Sequence, residues 1–163
     1  MTRTRSATLV HEGGMRFAAT TGTARTIVYG DVIEQGELSP VETIAVSLGA
    51  CSAMDVIAIA VKKRQQISRY AVHVDATQRD EYPQVLSHVI VTHDVEGPVV
   101  EEAAIRRAIE LSATKYCPVN AMLSAGATEI HHRYVVANTG PEPYRAEGEV
   151  VVTGPYRRPD VVP

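Results

Sequence analysis

Residues 38–64 read LSPVETIAVSLGACSAMDVIAIAVKKR and predict one long helix. Ser39 suits the N-cap, Pro40 the first helical position, and Glu42 the first turn, where the helix dipole favours an acid. From residue 44 to 61 the helix is apolar on nearly every side, so we expect it to be surrounded by protein. Because a chain of 163 residues is small, we expect a second subunit to bury the apolar surface of this helix.

This apolar run is long enough to cross a membrane. Asp55 in its middle opposes a membrane span, and so do the many small residues, among them Ser47, Gly49 and Ser52. The net charge of −3 and the 45% hydrophobic content are typical of a globular protein. No basic stripe points to nucleic acid, and the N-terminal residues lack the apolar stretch of a secretory signal. We therefore expect a cytoplasmic protein without membrane or nucleic-acid partners.

The segments around the long helix predict an α+β protein. Three alternating segments separated by glycines precede it and predict a small antiparallel meander. Residues 69–79 and 85–97 alternate with period two across a turn and predict a hairpin. Two helices, at 98–116 and 117–123, and a last strand at 128–136 complete the order β-β-β-α-β-β-α-α-β.

The segment from residue 138 to 163 carries five of the nine prolines and has no clear core pattern. We expect it to be an extended or partly disordered tail that can lie across a partner subunit. The predicted organisation is therefore one domain over residues 1–137 followed by this tail.

The chain has two cysteines, Cys51 and Cys117. In a reducing compartment a permanent disulfide is not expected, and no CxxC or cysteine–histidine spacing suggests zinc. The six histidines also lack ligand spacing, and His131 and His132 are neighbours on opposite faces of a strand. We therefore expect no metal and no cofactor. The thiols are either two unrelated buried side chains or partners in a reaction step.

The two cysteine motifs, LSPVETIAVSLGACSAMDVIAIAVKKR and AIELSATKYCPVNAML, resemble those of the OsmC/Ohr superfamily of osmotically inducible and organic hydroperoxide resistance proteins. They are most similar to its YhfA-like branch, and the resemblance covers roughly residues 5–137. It implies an OsmC-like fold in an intertwined homodimer with a long buried central helix.

The resemblance also implies a chemistry. In the better studied branches the first cysteine attacks an organic hydroperoxide and becomes a sulfenic acid, which the second cysteine captures as a disulfide. A cellular dithiol later reduces that disulfide. Cys51 matches the first position and Cys117 the second.

The surroundings of the two thiols differ, and the reactive species is the thiolate. Cys117 precedes Pro118, so we expect it at the N-cap of a short helix, where free N–H groups favour a negative sulfur. Cys51 lies inside a helix, where no N–H group is free. Asp55, one turn on, either forms a salt bridge, with Lys62, Lys63 or an arginine of the other subunit, or positions a catalytic arginine.

The chain departs from the peroxidase motif at its acid and its arginine. Those peroxidases carry a glutamate directly after the helix-opening proline, ten residues before the cysteine. Here Val41 takes that place, and Glu42 lies nine residues before Cys51. At about 100° per residue, Glu42 points roughly away from Cys51. Arg25 is the expected arginine, and Arg16 and Arg79 are alternatives.

Two functions stay open at this point. The first is a thiol-dependent peroxidase, which the retention of both cysteines favours. The second is a non-catalytic dimer that binds a hydrophobic ligand or acts as a thiol sensor, which the displaced Glu42 favours.

Overall fold

The computed structural model describes residues 3–31 and 36–154, which form two compact units. The first unit ends at Ile44, and the second begins at Ala45. The long helix α1 (Pro40–Lys62) therefore begins in the first unit and continues through the second.

The first unit is the predicted antiparallel meander. Its strands are β1 (Ala7–Gly13), β2 (Arg16–Thr21) and β3 (Thr26–Tyr29), in the order β1-β2-β3. Every residue of β1 is exposed. One face of this unit forms an apolar concavity of about 530 Å³ whose walls include Leu9, Phe17, Ile27 and Tyr29.

The start of α1 is fixed by the residues that the sequence indicates. Ser39 Oγ accepts a hydrogen bond from the Val41 amide at 3.3 Å, and the Glu42 carboxylate accepts one from the Ser39 amide at 3.0 Å. This reciprocal arrangement is a capping box, in which serine and glutamate satisfy two otherwise unpaired N–H groups. The predicted N-cap at Ser39 is confirmed.

The second unit places its helices on one face of a four-stranded sheet. The strands are β4 (Arg69–Gln78), β5 (Leu86–Gly97), β6 (Glu129–Asn138) and β7 (Tyr144–Thr153), in the order β4-β5-β6-β7. The β4–β5 and β6–β7 pairs are antiparallel, whereas β5 and β6 are parallel. Helix α2 (Glu102–Leu111), a π-helical turn (Ser112–Tyr116) and helix α3 (Pro118–Ser124) connect β5 to β6.

The core of the second unit lies between this sheet and the two longer helices. Val56 and Ala60 of α1 and Ile105 and Ile109 of α2 are fully buried against valines of β5 and β6. Removing each of these larger side chains from water contributes about 1.5–3 kcal/mol. Along β5, buried and partly exposed residues alternate, so one face of the sheet lies in the core and the other faces solvent.

The predicted α+β class and element order are confirmed, with one additional strand. Strand β7 lies within the segment predicted as an extended tail and is hydrogen-bonded along most of β6. The predicted domain boundary at residue 137 falls at the end of β6, and residues 155–163 lie outside the described residues.

Candidate functional site

The second unit brings Cys51, Asp55 and Cys117 together. One ligand-type atom of each, the two Sγ atoms and a carboxylate oxygen, lie within 4.8 Å of one another. Cys51 and Asp55 are one turn apart on α1, so their side chains share a face of the helix. Both are partly exposed, whereas Cys117 is buried, and both cysteines are free thiols.

Cys117 is held by the irregular backbone between α2 and α3. Its amide donates to the Ser112 carbonyl at 2.9 Å, five residues back, which closes the π-helical turn. Such turns occur frequently at functional sites. Pro118 then begins α3, and the Asn120 amide donates to Cys117 Sγ at 3.3 Å. The predicted N-cap position of Cys117 is therefore confirmed.

Burial outweighs the predicted effect of that position, which is present because the amides of Asn120 and Val119 lower the pKa of Cys117. Burial, and then the hydrogen bond with Cys51, raise the pKa of Cys117, and the net value is about 12. Two amide donors at the start of a short helix do not compensate for the loss of water around a buried sulfur. Cys117 is therefore a protonated thiol next to Cys51 at neutral pH.

The Asp55 carboxylate is held by a serine. Ser112 Oγ donates to Asp55 Oδ2 at 3.0 Å. Among residues 45–154, no lysine or arginine forms an ion pair with Asp55, so the expected salt bridge to Lys62 or Lys63 is not formed. The Asp55 carboxylate therefore lies beside the two thiols and accepts a hydrogen bond from a neutral group, the Ser112 hydroxyl.

A chain of polar side chains continues from Asp55 along the buried side of α1. The Ser112 hydroxyl lies 3.3 Å from Ser52 Oγ, and Ser52 Oγ lies 3.2 Å from His93 Nε2. His93 Nδ1 lies 2.8 Å from the Tyr70 hydroxyl. Ser52, His93 and Ser112 are fully buried, so each depends on the others for its hydrogen bonds.

The chain ends at a cavity on another side of α1. This cavity has a volume of about 430 Å³, and Tyr70 forms part of its wall. Burial, and then the negative charge of Asp55, raise the pKa of Tyr70 well above its ordinary value. Tyr70 is therefore a neutral hydrogen-bonding group at an otherwise apolar surface, which also includes Ala45, Val46, Gly49, Ala50, Ala53, Val72 and Val74.

Sequence reasoning missed these polar partners. The signal for His93 was present, because it occupies the same phase of β5 as the buried residues Val89, Val91 and Val95. A histidine in a buried phase needs hydrogen-bond partners. The partners Ser52 and Ser112 come from helices that are distant in the sequence, and nothing local indicates them.

Arg25 and Glu42 belong to the first unit. Arg25 is exposed in the turn between β2 and β3, where its backbone pairs with Thr21. Glu42 lies in the first turn of α1, where its carboxylate accepts a hydrogen bond from the Ser39 amide.

The two alternative arginines have other partners. Arg16 on β2 forms ion pairs with Glu12 and Glu37. The guanidinium of Arg79 donates to the Pro83 carbonyl at 2.7 Å.

The three ligand-type atoms of Cys51, Asp55 and Cys117 are also close enough to share a metal ion. Two thiolates and a carboxylate would suit a soft or borderline metal such as zinc. The same proximity allows two other reactions of the thiols, a thiol–sulfenate condensation and a disulfide exchange.

The profile of a family described as OsmC-like protein matches residues 33–133. The chain belongs to the OsmC-like family. Protein YhfA of Escherichia coli K12 is 37% identical to it over 99 residues, which are 61% of this chain and 74% of YhfA. The resemblance seen in the cysteine motifs is thereby confirmed.

Solved structures of OsmC-like proteins share the fold. The crystal structure of a hypothetical protein from Aquifex aeolicus VF5 is similar with a TM-score of 0.75 at 27% identity, and the match covers 83% of this chain and 97% of that one. A protein from Legionella pneumophila, described as an organic hydroperoxide resistance protein OsmC, is similar with a TM-score of 0.61 at 12% identity. That match covers 82% of this chain and 96% of the Legionella chain.

Proposed function

We propose that this protein is a thiol-dependent peroxidase that reduces organic hydroperoxides with Cys51 and Cys117. The observation that carries the proposal is the convergence of the two sulfur atoms, which lie within 4.8 Å of each other although they come from different helices. Among the structural relatives is an organic hydroperoxide resistance protein, which supports the same substrate class and an antioxidant role in stress responses.

The first step uses the Cys51 thiolate as the nucleophile. It attacks the terminal oxygen of the hydroperoxide, the O–O bond breaks, and the alkoxide that leaves takes up a proton to become the alcohol. Sulfur is oxidised to a sulfenic acid, and the peroxide is reduced. The buried Cys117 suits the second role, because its raised pKa keeps it a thiol until the sulfenic acid has formed.

The second step forms the disulfide. Cys117 loses its proton and attacks the Cys51 sulfur, the S–S bond forms, and the sulfenic oxygen leaves as water. The Asp55 carboxylate has an oxygen within 4.8 Å of both sulfurs and is proposed to accept the Cys117 proton. A cellular dithiol then supplies two electrons and restores both thiols, so no other cofactor is required. The cytoplasm is the proposed location, because it contains such dithiols.

The proposal includes a cation near Cys51. We assign this role to Arg25, with Arg16 and Arg79 as alternatives. In the peroxidase motif a glutamate orients the arginine, and Glu42 is its displaced counterpart in this chain. A nearby positive charge typically shifts an ionisation equilibrium by about 10- to 1,000-fold. We therefore expect Arg25→Gln to slow the attack of Cys51 on the hydroperoxide at least about tenfold. If Arg16 or Arg79 is the cation instead, Arg16→Gln or Arg79→Gln should show this effect.

One observation favours a second candidate function. The apolar cavity of about 430 Å³ beside α1 has the size and lining of a small-ligand site. If it takes a hydrophobic ligand, the protein is a binding protein, and the thiols contribute packing or redox sensing.

The test treats the reduced protein with one equivalent of cumene hydroperoxide. We expect the peroxide to be consumed and the protein mass to fall by the two hydrogens lost on disulfide formation. Cys51→Ser should abolish both changes. Cys117→Ser should allow one turnover and then leave Cys51 as a sulfenic acid, which further equivalents of cumene hydroperoxide oxidise to the irreversible sulfinic and sulfonic acids.

The matched control is Ser87→Ala, a hydroxyl on β5 that bonds the Thr77 carbonyl away from the thiols. It should react like the parent. Consumption no faster than that by free cysteine, or an unchanged rate in Cys51→Ser, would contradict the peroxidase and leave the ligand-binding function.

A further inference from the structure

A second cluster of chemically competent side chains lies on the solvent face of the four-stranded sheet. His88 of β5, Glu129 and His131 of β6, and Glu149 of β7 contact one another there. The thiol pair uses helices on the other side of this sheet, as the burial of His132, the neighbour of His131, indicates. The proposed peroxidase chemistry uses none of the four.

The sheet register produces this cluster. Glu129 and His131 are two residues apart on β6, so their side chains point to the same face. His88 on the parallel neighbour β5 is in register with Glu129. Neighbouring strands are about 4.8 Å apart, which brings the three side chains within reach of a common point.

The distances converge on one carboxylate oxygen. Glu129 Oε1 lies 2.7 Å from His131 Nε2 and 3.5 Å from His88 Nδ1. The ligand-type atoms of these three residues all lie within 4.8 Å of one another. Two ligands that each bind a tetrahedral Zn²⁺ at about 2.0–2.1 Å are themselves about 3.3 Å apart. Side-chain rotations alone can therefore bring all three atoms to an ion.

Glu149 fixes the orientation of the histidine. Its Oε2 lies 2.8 Å from His131 Nδ1 and accepts a hydrogen bond from that nitrogen. Nε2 is directed toward Glu129, whose Oε1 accepts a hydrogen bond from it at 2.7 Å, and a metal ion would replace the Nε2 proton. A carboxylate that holds the far nitrogen of a metal-binding histidine is a recurrent arrangement around zinc. Arg133 also contacts Glu149, at 3.5 Å, and balances part of its charge.

We propose that His88, Glu129 and His131 form a binding site for a divalent transition-metal ion, with Zn²⁺ as the expected occupant and Glu149 as the residue that orients His131. Imidazole and carboxylate ligands suit zinc, and three protein ligands leave a fourth position for water or another ligand. The side chains of His88 and Glu149 are each 42% exposed, so an ion can enter from solvent.

The test separates this site from the thiol cluster. Zn²⁺ titration by calorimetry uses the full chain with the double substitution Cys51→Ser and Cys117→Ser, which removes the sulfur ligands. One Zn²⁺ per chain is expected in this parent. His88→Gln, Glu129→Gln and His131→Gln should each weaken binding at least about tenfold, and Glu149→Gln by about 10- to 100-fold. Cobalt bound to the same parent should show d–d absorption.

The matched control is His73→Gln, an exposed histidine on β4 of the same sheet. It should bind Zn²⁺ like the parent. Absence of Zn²⁺ binding in the parent at micromolar protein, or equal affinity in the parent and in both His88→Gln and His131→Gln, overturns the proposal. Circular dichroism of each variant confirms that the fold is retained.

Discussion

At the scale of single residues, the most unusual groups of the second unit are its buried histidines. His93 on β5 and His132 on β6 are fully buried, and their rings stack with centroids 6.4 Å apart. Burial, and then the neighbouring His132, lower the pKa of His93 to about 3. Burial, and then His131, lower the pKa of His132 to about 4. Both rings are therefore neutral in the folded protein at neutral pH.

These lowered pKa values predict acid sensitivity. An unfolded histidine binds its proton at about pH 6.5, whereas the folded ones bind it only near pH 3 to 4. Between these values the unfolded state holds more protons, so the free energy of unfolding falls as the pH falls. Each histidine contributes a slope of at most about 1.4 kcal/mol per pH unit. Their contribution is fully present above about pH 6.5.

Urea unfolding at several pH values from about 7 to about 4.5 measures this slope. His132→Gln keeps a hydrogen-bond donor for the side-chain oxygen Oδ1 of Asn120. We expect both His132→Gln and His93→Gln to reduce the change in the free energy of unfolding with pH. His73→Gln replaces an exposed histidine and should leave the slope unchanged. If His93→Gln and His132→Gln both keep the pH dependence of the parent's free energy of unfolding, other groups cause the acid sensitivity.

At the scale of elements, α1 has two faces of different surroundings. Its residues at four-residue spacing, Leu48, Ser52, Val56 and Ala60, are fully buried. Val46, Met54 and Val61 on the opposite side are exposed. Cys51 and Asp55 lie between the two stripes, roughly 100° from each, so the thiol site borders the uncovered face. By length and composition α1 could also cross a membrane, yet 28% of its most apolar window is already buried inside the protein.

Gly49 allows α1 to approach β4 closely. A Cβ atom at this position would lie 2.9 Å from Val74 Cγ2, and valine has little rotameric freedom. Gly49→Ala gains about 1 kcal/mol in helix propensity but costs about 1–3 kcal/mol in overpacking. We expect a net loss of stability, measured as a lower midpoint of urea unfolding.

The partner substitution gives the control. Val74→Ala removes the atom that the new Cβ would contact. In that background Gly49→Ala should be neutral or stabilising by up to about 1 kcal/mol. An equal loss in both backgrounds would show that Val74 does not require the glycine.

At the scale of the whole molecule, apolar side chains remain exposed in both units. Leu9, Val10 and Met15 are exposed in the first unit, and Met54 in the middle of α1 is 71% exposed. Contiguous patches of exposed apolar side chains usually mark an interface. We propose that the homodimer implied by the family resemblance covers α1 and places the thiol site beside the subunit boundary.

Met54→Glu tests this interface by introducing a negative charge on the exposed apolar face of α1. Burying an unpaired carboxylate is costly, so we expect a parent dimer to become a monomer in sedimentation velocity at low micromolar concentration. Met122→Glu on α3 is the control, because Met122 is similarly exposed, at 69%, and belongs to a different helix. A parent that sediments as a stable monomer, or a Met54→Glu variant that stays dimeric, is the outcome that contradicts this arrangement.

The sequence by itself determined the family, the two cysteine motifs and the order of the elements as far as β6. Helix α1 begins where Ser39 and Pro40 predict, because capping depends on neighbouring residues alone. The meander and the β4–β5 hairpin follow from alternation and turns, which are also local signals. Strand β7 lacked such a signal, because its place at the sheet edge comes from backbone hydrogen bonds that most residues can form.

Only the tertiary structure decided what surrounds the functional groups. Cys117 occupies the predicted N-cap, yet burial reverses the expected direction of its pKa. Asp55 is paired with Ser112 from another helix, and His88 meets His131 because β5 and β6 run parallel in one particular register. Hydrogen bonding, desolvation and charge depend on atoms that are close in space, and these atoms come from segments that are far apart in the chain.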